Sequence, residues 1–321
     1  MIALRRSRSA GILAGAIVDW VSADPQRGHP VAGFGWCATT FERITYRDSR
    51  SAGVVHTAAL VGALAGAGIL AQRRAGSAPA RAAMTAAATW VALGGTTLAR
   101  TGSQMADLLA AGDLDGARTL LPSLCGRDPE VLDAGGLARA ACESVAENTS
   151  DAHVAPLFWA ALAGVPGVLA YRGVNTLDAM IGNRSERYVR FGWAAARLDD
   201  LANYLPARLT GVLVLACARL IGGSVPQAAR TWRRDAARHP SPNAGVAEAS
   251  FAGALGVRLG GPTQYHYQLE IRPALGDGPA PGVADLRRAV RLSRLVQAAA
   301  VVLAVTLSAA VRTGRPACPR R

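Results

Sequence analysis

The chain has 321 residues, half of them hydrophobic and few of them aromatic, with a formal charge of +13. All 35 basic residues are arginine, and the missing lysine excludes a P-loop, a pyridoxal-phosphate Schiff base and a lysine nucleophile. The arginines are spread over many loops with no interleaved aromatic patch, so the charge reads as positive-inside topology and anionic headgroup contact, not as a nucleic-acid surface.

Arg5, Arg6 and Arg8 lead into a short apolar run, 10–18, closed by Asp19. Charge and length resemble the start of a signal peptide, but no clean small-x-small cleavage site follows, so a retained N-terminal helix is expected. Asp24-Pro25 and His29-Pro30 mark a rigid loop, because the residue before each proline is held extended. His29 there is a candidate ligand or proton carrier, weighed against an ordinary polar role. Residues 53–71 and 82–99 carry no formal charge. Each is long enough to cross a hydrocarbon core of about 30 Å at ~1.5 Å per residue. Arg73, Arg74 and Arg81 between them make that loop read as cytoplasmic.

Residues 101–150 are polar and read as soluble helices with turns at 110–117 and 126–129. The last of them carries Glu143 and Glu147, which with Asp151 fall four apart on one helix face. Aligned carboxylates with no basic residue between them repel, so either the face is solvated or a cation sits there, a metal ion or an arginine from elsewhere. Residues 152–171 are apolar but contain Gly164, Pro166 and Gly167. The run is either a kinked crossing or a re-entrant hairpin, and a full crossing would put Asp151 and Asn175 on opposite membrane faces. Asn175 and Asp178 are three apart; Asp199 and Asn203 are four apart, with Asp200 beside them. A further apolar stretch, 209–221, is bracketed by Arg208 and Arg219. A basic amphipathic segment, 230–238, is expected at the membrane interface. H-P-S-P-N-A-G, 239–245, is a loop fixed by two prolines, and 273–281 reads as a Gly/Pro-rich linker. A last span, 295–311, precedes Arg312, Arg315, Arg320 and Arg321, a tail that reads as cytoplasmic. Cys37, Cys125, Cys142, Cys217 and Cys318 form no C-x-x-C pair and read as small buried residues, not as a disulfide framework or a zinc site. A mean hydropathy of +0.19 fits membrane helices joined by substantial polar loops. The expected architecture is all-α: a single integral-membrane domain, 1–321, with roughly four to six membrane-embedded helices and polar helical loops.

Six motifs stand in order along nearly the whole chain: D-P-Q-R-G-H-P-V (24–31), E-S-V-A-E-N-T-S-D (143–151), Y-R-G-V-N-T-L-D-A-M-I-G (171–182), A-A-R-L-D-D-L-A-N-Y-L-P-A-R-L (195–209), H-P-S-P-N-A-G (239–245) and L-G-G-P-T-Q-Y (259–265). Together they resemble the adenosylcobinamide-phosphate synthase family, CbiB or CobD, of cobalamin biosynthesis. Ala152 stands where that family usually has Gly, and Tyr267 where Gly is expected after Tyr265. The resemblance implies a multi-pass enzyme of the cell inner membrane. It would join a propionate carboxylate of adenosylcobyric acid to the amine of (R)-1-amino-2-propanol phosphate, or a related aminoalcohol, to give adenosylcobinamide phosphate. ATP and Mg²⁺ are the implied cofactors. The bilayer and other corrinoid-pathway enzymes are the implied surroundings, and no nucleic acid is involved. The pyridoxal-phosphate decarboxylase that shares the name CobD in some organisms is excluded by the absence of lysine.

The residues fit that chemistry. A carboxylate must be activated before an amine can attack it. An acyl-phosphate route needs Mg²⁺ on a few carboxylates, arginine forks on phosphate oxygens and a general base. Glu147, Asp151, Asp178, Asp199 and Asp200 are the catalytic candidates, with Asp199 and Glu147 foremost for the metal. Arg172, Arg197 and Arg208 are candidates for phosphate or propionate. Asn148, Asn175, Asn203, Ser241 and Asn243 are candidates for orienting substrate, and His29 and His239 for proton transfer. Within the D-D pair, Asp199 shares its helix face with Asn203, whereas Asp200 has Arg197 three residues before it and is expected to pair with it. Two other classes stay open from sequence: a UbiA-type Mg-dependent membrane prenyltransferase, although no second D-D-x-x-D/N motif is present, and a non-catalytic corrinoid-binding or transport protein, although no paired repeat is present.

Overall fold

The computed structural model describes residues 2–25, 28–183, 185–264 and 269–310. Tyr267 and the arginine tail beyond 310 lie outside the described residues. Twelve helices are seen among the described residues: α1 Ile2–Ser22, α2 Pro30–Thr45, α3 Arg50–Arg74, α4 Ala78–Ala92, α5 Gly95–Ala110, α6 Leu114–Leu120, α7 Ala134–Thr149, α8 Ala155–Ile181, α9 Trp193–Cys217, α10 Val225–Asp235, α11 Ala244–Leu255 and α12 Val283–Ala310. One hairpin interrupts them, β1 Leu259–Gln264 and β2 Leu269–Leu275, paired antiparallel. The fold is all-α apart from that hairpin. The hairpin takes the first three residues of the stretch read as linker, 273–275, into β2, while 276–281 stay outside regular structure; in β1, Gly260 and Gly261 take positive φ and let the strand bulge between Leu259 and Gly261.

Five helical stretches are long and apolar enough to cross a membrane: Arg50–Arg74, Ala78–Ala110, Ala134–Ile181, Trp193–Ile221 and Val283–Ala310. The chain is a multi-pass membrane protein. Local chemistry sets the helix starts. Ser49 and Ser77 accept hydrogen bonds from the amides of Ala52 and Ala80, and His29 Nδ1 accepts one from Val31 with Pro30 opening the helix behind it. The apolar run at 82–99 is not one helix. It breaks at Leu93-Gly94, where the Gly94 amide donates to the Ala152 carbonyl at 2.9 Å. Helix α1 lies against α4 through Gly11 and Gly15, whose missing side chains let the α4 carbonyls of Ala82 and Ala86 come close.

A π-turn, Ser150–Val154, carries α7 into α8. Helix α8 then reverses at Gly164, which has φ 68° and ψ −149°, a conformation reserved for glycine, with Pro166 just beyond. The reversal is measured by one bond: Tyr171 Oη donates to the Asp151 carbonyl at 2.8 Å although the two are 20 residues apart. A straight helix would hold them about 30 Å apart. Residues 152–171 are therefore a re-entrant hairpin, and the simple crossing is excluded. The break frees carbonyls that lipid cannot satisfy. Arg8 takes those of Ala161 and Leu162, both at 3.2 Å, placing a cation on the negative end of the descending arm.

Helix α3 runs the length of this hairpin. Its Gly53 backs onto Phe191, which packs with Leu177, Ile181 and Ala195, and its Gly68 backs onto Pro166 at the hairpin tip. The arginine-bearing loop after α3 thus lies at the tip end.

Candidate functional site

The site opens at the mouth of the hairpin, where the π-turn, the ascending arm of α8 and the first half of α9 meet. Its aspartate end is built from i, i+4 pairs brought together by the reversal. Asn203 donates to Asp199 Oδ2 at 2.9 Å, and Asn175 donates to Asp199 Oδ1 at 3.4 Å. Tyr171 Oη reaches Asn203 Oδ1 at 2.9 Å as well as Asp151. Arg172 donates to Asn175 Oδ1 at 3.4 Å, and its Nε has no hydrogen-bond partner. Asp151 lies within electrostatic range of Asp199, Glu147 and Asp178, and Asp178 within range of Asp200. Eight candidates of the sequence thus converge, five acids and two asparagines with one half-buried arginine, Arg172.

Carboxylates gathered in this way repel unless a cation joins them. Among the described residues no three His, Cys, Asp or Glu side chains close on a point as a metal-ion site of their own. Mg²⁺ does not need such a cage. It binds through one or two carboxylates and completes its shell with water and substrate phosphate. The donor set is all hard oxygen, the kind that Mg²⁺ takes, and it includes Asp199 and Glu147, the residues the sequence offers first for a metal.

The second end is built by α7, α11, β1 and the loop before α11. Glu143 is buried, paired with Arg127, and accepts the Gly260 amide at 2.7 Å. Arg139 donates to the carbonyls of Gly260 and Pro262 at 2.8 and 2.7 Å. Glu248 is the sole acid of the apolar helix α11 and is fully buried. His239 Nε2 lies 3.6 Å and Arg272 3.9 Å from its carboxylate, and neither of its oxygens has a hydrogen-bond partner. Burial, then the charges of Glu143 and Glu147, push the Glu248 carboxyl well above the ordinary range against the pull of Arg272 and Arg127. Burial and then Arg272 lower His239. Glu147 has Arg272, Arg127 and Glu143 as charged neighbours and Asp151 on the other side, so it joins the two ends.

Other candidates do different work. Arg197 is exposed and pairs with Asp200 at 3.2 Å, as the spacing predicts. Arg208 donates to Asn243 Oδ1 at 2.8 Å and stacks on the Tyr204 ring at 3.7 Å. Asn243 Nδ2 donates to the Asp200 carbonyl at 2.8 Å, so both ends of that amide are occupied and stitch the loop to α9. Ser241 Oγ accepts the amides of Asn243 and Ala244 and starts α11, while its own amide donates to His239 Nδ1 at 3.1 Å. Asn148 donates to Ser144 at 3.0 Å. His29 faces Asp24 at 3.6 Å; burial lowers it, with Asp24 opposing. The segment at 230–238 is partly tied inward, since Arg234 bonds buried Asp235 and exposed Asp277, each at 2.7 Å. Sequence reasoning did not single out Glu248, Arg127, Arg272 or Tyr171 as site residues. Glu248 had a signal: one acid in a stretch of otherwise small and apolar residues.

Comparison with known proteins settles the family. The model of the CobD/CbiB protein family matches residues 12–293. The chain belongs to the CobD/CbiB family. This CobD/CbiB chain is 65% identical over 302 residues to the cobalamin biosynthesis protein CobD of Mycobacterium tuberculosis, covering 94% of the chain and 96% of the relative. It is 45% identical over 282 residues to the protein of that name from Chromobacterium violaceum, covering 86% and 89%. The Geobacter metallireducens protein is 40% identical over 306 residues, covering 93% and 96%. No solved structure matches the chain. The CobD/CbiB chain therefore has a role in cobalamin biosynthesis, and the prenyltransferase reading is set aside.

Proposed function

We propose that this protein is an adenosylcobinamide-phosphate synthase. It joins a propionate carboxylate of adenosylcobyric acid to the amine of (R)-1-amino-2-propanol phosphate or a close relative, using ATP and Mg²⁺. The observation that carries the reading is the convergence of Glu147, Asp151, Asp178 and Asp199 beside Arg172 at the hairpin mouth. When bound, Mg²⁺ supplies charge neutralisation for phosphate oxygens held against carboxylates. Asp199 and Glu147 would hold it. Arg172 has donor capacity to spare for an anionic group of the substrate. Asp151 or Asp178 would accept the proton of the attacking amine, a role that needs a carboxylate within hydrogen-bond reach. The hairpin arms and α9 exclude bulk water from behind the reacting groups.

The proposed location is the bacterial inner membrane with the site facing the cytoplasm. The arginines Arg43, Arg47, Arg118, Arg139, Arg187 and Arg190 all stand on elements at the site end, which favours that face by the positive-inside rule. A single crossing by α3 then puts Arg73, Arg74 and Arg81 on the other face, and the end of α12, whose Ser308 meets Ser9 near the hairpin tip, lies there too; both go against the sequence-based readings of that loop and of the arginine tail as cytoplasmic.

The test is an assay on membranes holding the full chain, given adenosylcobyric acid, aminopropanol phosphate, ATP and Mg²⁺, with product followed by mass. The expected result is a product of amide mass that requires all four additions. Binding of the corrinoid with no product under any condition would favour a non-catalytic role.

A further inference from the structure

A cavity of about 600 Å³ opens between α1, α5 and α12, away from the site described above. Leu13, Ile17 and Val301 form its apolar wall; Trp20, Arg100 and Arg294 stand at its rim. The direction of the groove follows from two bonds. Ser9 and Ser308 hydroxyls meet at 2.7 Å at one end of the α1–α12 pair, and Gln297 donates to the Gly95 carbonyl at 3.2 Å at the other. Leu13 and Val301 lie toward the first end, inside the membrane. Trp20, Arg100 and Arg294 lie toward the second, at the level where the polar layer begins. Trp20 is 77% exposed there, as an interfacial tryptophan should be.

The rim is cationic and underused. Arg100 makes one long bond, to the Val21 carbonyl at 3.4 Å, and has Asp19 as a charged neighbour, while Arg294 has no hydrogen bond or ion pair among the described residues. A second cavity of about 420 Å³ shares Arg294 and adds Arg287 and Arg291; there Arg287 bonds Asp107 at 3.0 Å. The floor is polar and incompletely bonded. Asp19 is 1% exposed, and Thr96 donates to its Oδ2 at 2.9 Å while its Oδ1 has no partner. His153 is 3% exposed, and neither ring nitrogen has a hydrogen bond. Buried polar atoms of this kind are normally satisfied, and these face the groove with bonding capacity to spare.

We propose that this groove is a specific site for one anionic phospholipid with a hydroxylated headgroup, of the phosphatidylglycerol class. An acyl chain lies along Leu13, Ile17 and Val301. The phosphate sits between Arg100 and Arg294. Headgroup hydroxyls donate to Asp19 Oδ1 and meet His153. A choline headgroup has no hydrogen-bond donor and leaves Asp19 Oδ1 unsatisfied. The carboxylate of Asp19 is an unfavourable neighbour of the phosphate, with Asp24 within electrostatic range of it, which is why a donor-bearing headgroup is required between them.

The experiment is native mass spectrometry of the full chain released from detergent after exposure to equimolar phosphatidylglycerol and phosphatidylcholine of identical acyl chains. The expected result is one retained phosphatidylglycerol, favoured roughly tenfold or more, as two arginines near a headgroup warrant. The Arg100→Gln/Arg294→Gln double variant should lose that preference while melting in phosphatidylcholine nanodiscs at the parent temperature. Ile17→Trp, which fills the groove and keeps the charge, should lose the lipid altogether. Equal retention of the two lipids would overturn the proposal. So would preference unchanged in both variants, which would place the lipid elsewhere, or a lipid-free dimer disrupted by Ile17→Trp, which would make the groove an interface between copies.

Discussion

The two ends of the site hold similar numbers of acids and treat them differently. At the glutamate end, Glu143 is matched by Arg127 and the Gly260 amide, and Glu248 faces His239 and Arg272. At the aspartate end, Asp199 is held by two asparagine amides, with Arg172 the nearby half-buried cation. Neutral amides orient a carboxylate without cancelling its charge; an arginine fork cancels it. At the first end Glu143 is therefore neutralised by its arginine and ties α7 to β1. The other is left short of positive charge, which is the state a metal or cationic group can exploit. The difference separates scaffold from chemistry more sharply than burial does.

The comparison can be broken by variants whose effects should fall in a fixed order. Glu143→Gln should act on stability first. It leaves Arg127 buried beside an uncharged amide, and removal of one partner of a buried pair costs about 3–5 kcal/mol. Thermal unfolding in detergent should show a large drop, with little specific effect on the activity of the protein that remains folded. Asp199→Asn keeps volume and removes charge. It should leave unfolding nearly unchanged and lower product formation by on the order of 10²-fold or more, as loss of a main electrostatic group does. A magnesium titration checks it: the variant should need far more metal or fail to saturate. If Asp199→Asn unfolds the protein and Glu143→Gln lowers only turnover, the assignment of the two ends is reversed.

Smaller effects sharpen the boundary. Asn243→Ala removes the acceptor of Arg208 and the donor to the Asp200 carbonyl, a change of about 1–3 kcal/mol. Turnover should fall roughly tenfold with insertion intact; loss of membrane expression with specific activity retained would make the loop purely structural. Asp200→Asn should cost no more than a few-fold, because its partner Arg197 is exposed and such pairs are weak. Arg197→Ala should reproduce that cost, and a double variant should add nothing further.

What was legible in the sequence was local. The pairing of Asp199 with Asn203 and of Asp200 with Arg197 follows from three- and four-residue spacing on a helix, and both bonds are present. Gly164 and Pro166 marked the reversal because a helix cannot pass such a pair without a break. The choice between kink and hairpin was not legible, since it depends on Arg8 reaching the freed carbonyls from 154 residues away. The split of 82–99 depends on the Gly94 amide finding the Ala152 carbonyl. Glu248 and Arg272 were missed for the same reason: their meaning lies in neighbours that only the folded chain supplies. The β1–β2 hairpin was hidden because Gly260, Gly261 and Pro262 in β1 and Pro273 in β2 are poor strand formers.

The central claim is that the re-entrant hairpin returns the chain to the face it left, so that α7, the start of α9 and the loop after α8 share one side. Single cysteines at Glu130, Glu186 and Gly76, placed in a background with the five native cysteines replaced, test this with a membrane-impermeant thiol reagent on oriented vesicles. All three positions are exposed. The account predicts that Glu130→Cys and Glu186→Cys label from the same face and Gly76→Cys from the opposite one. Labelling of positions 130 and 186 from opposite faces would mean that 152–171 crosses the bilayer, and the site as built here could not exist.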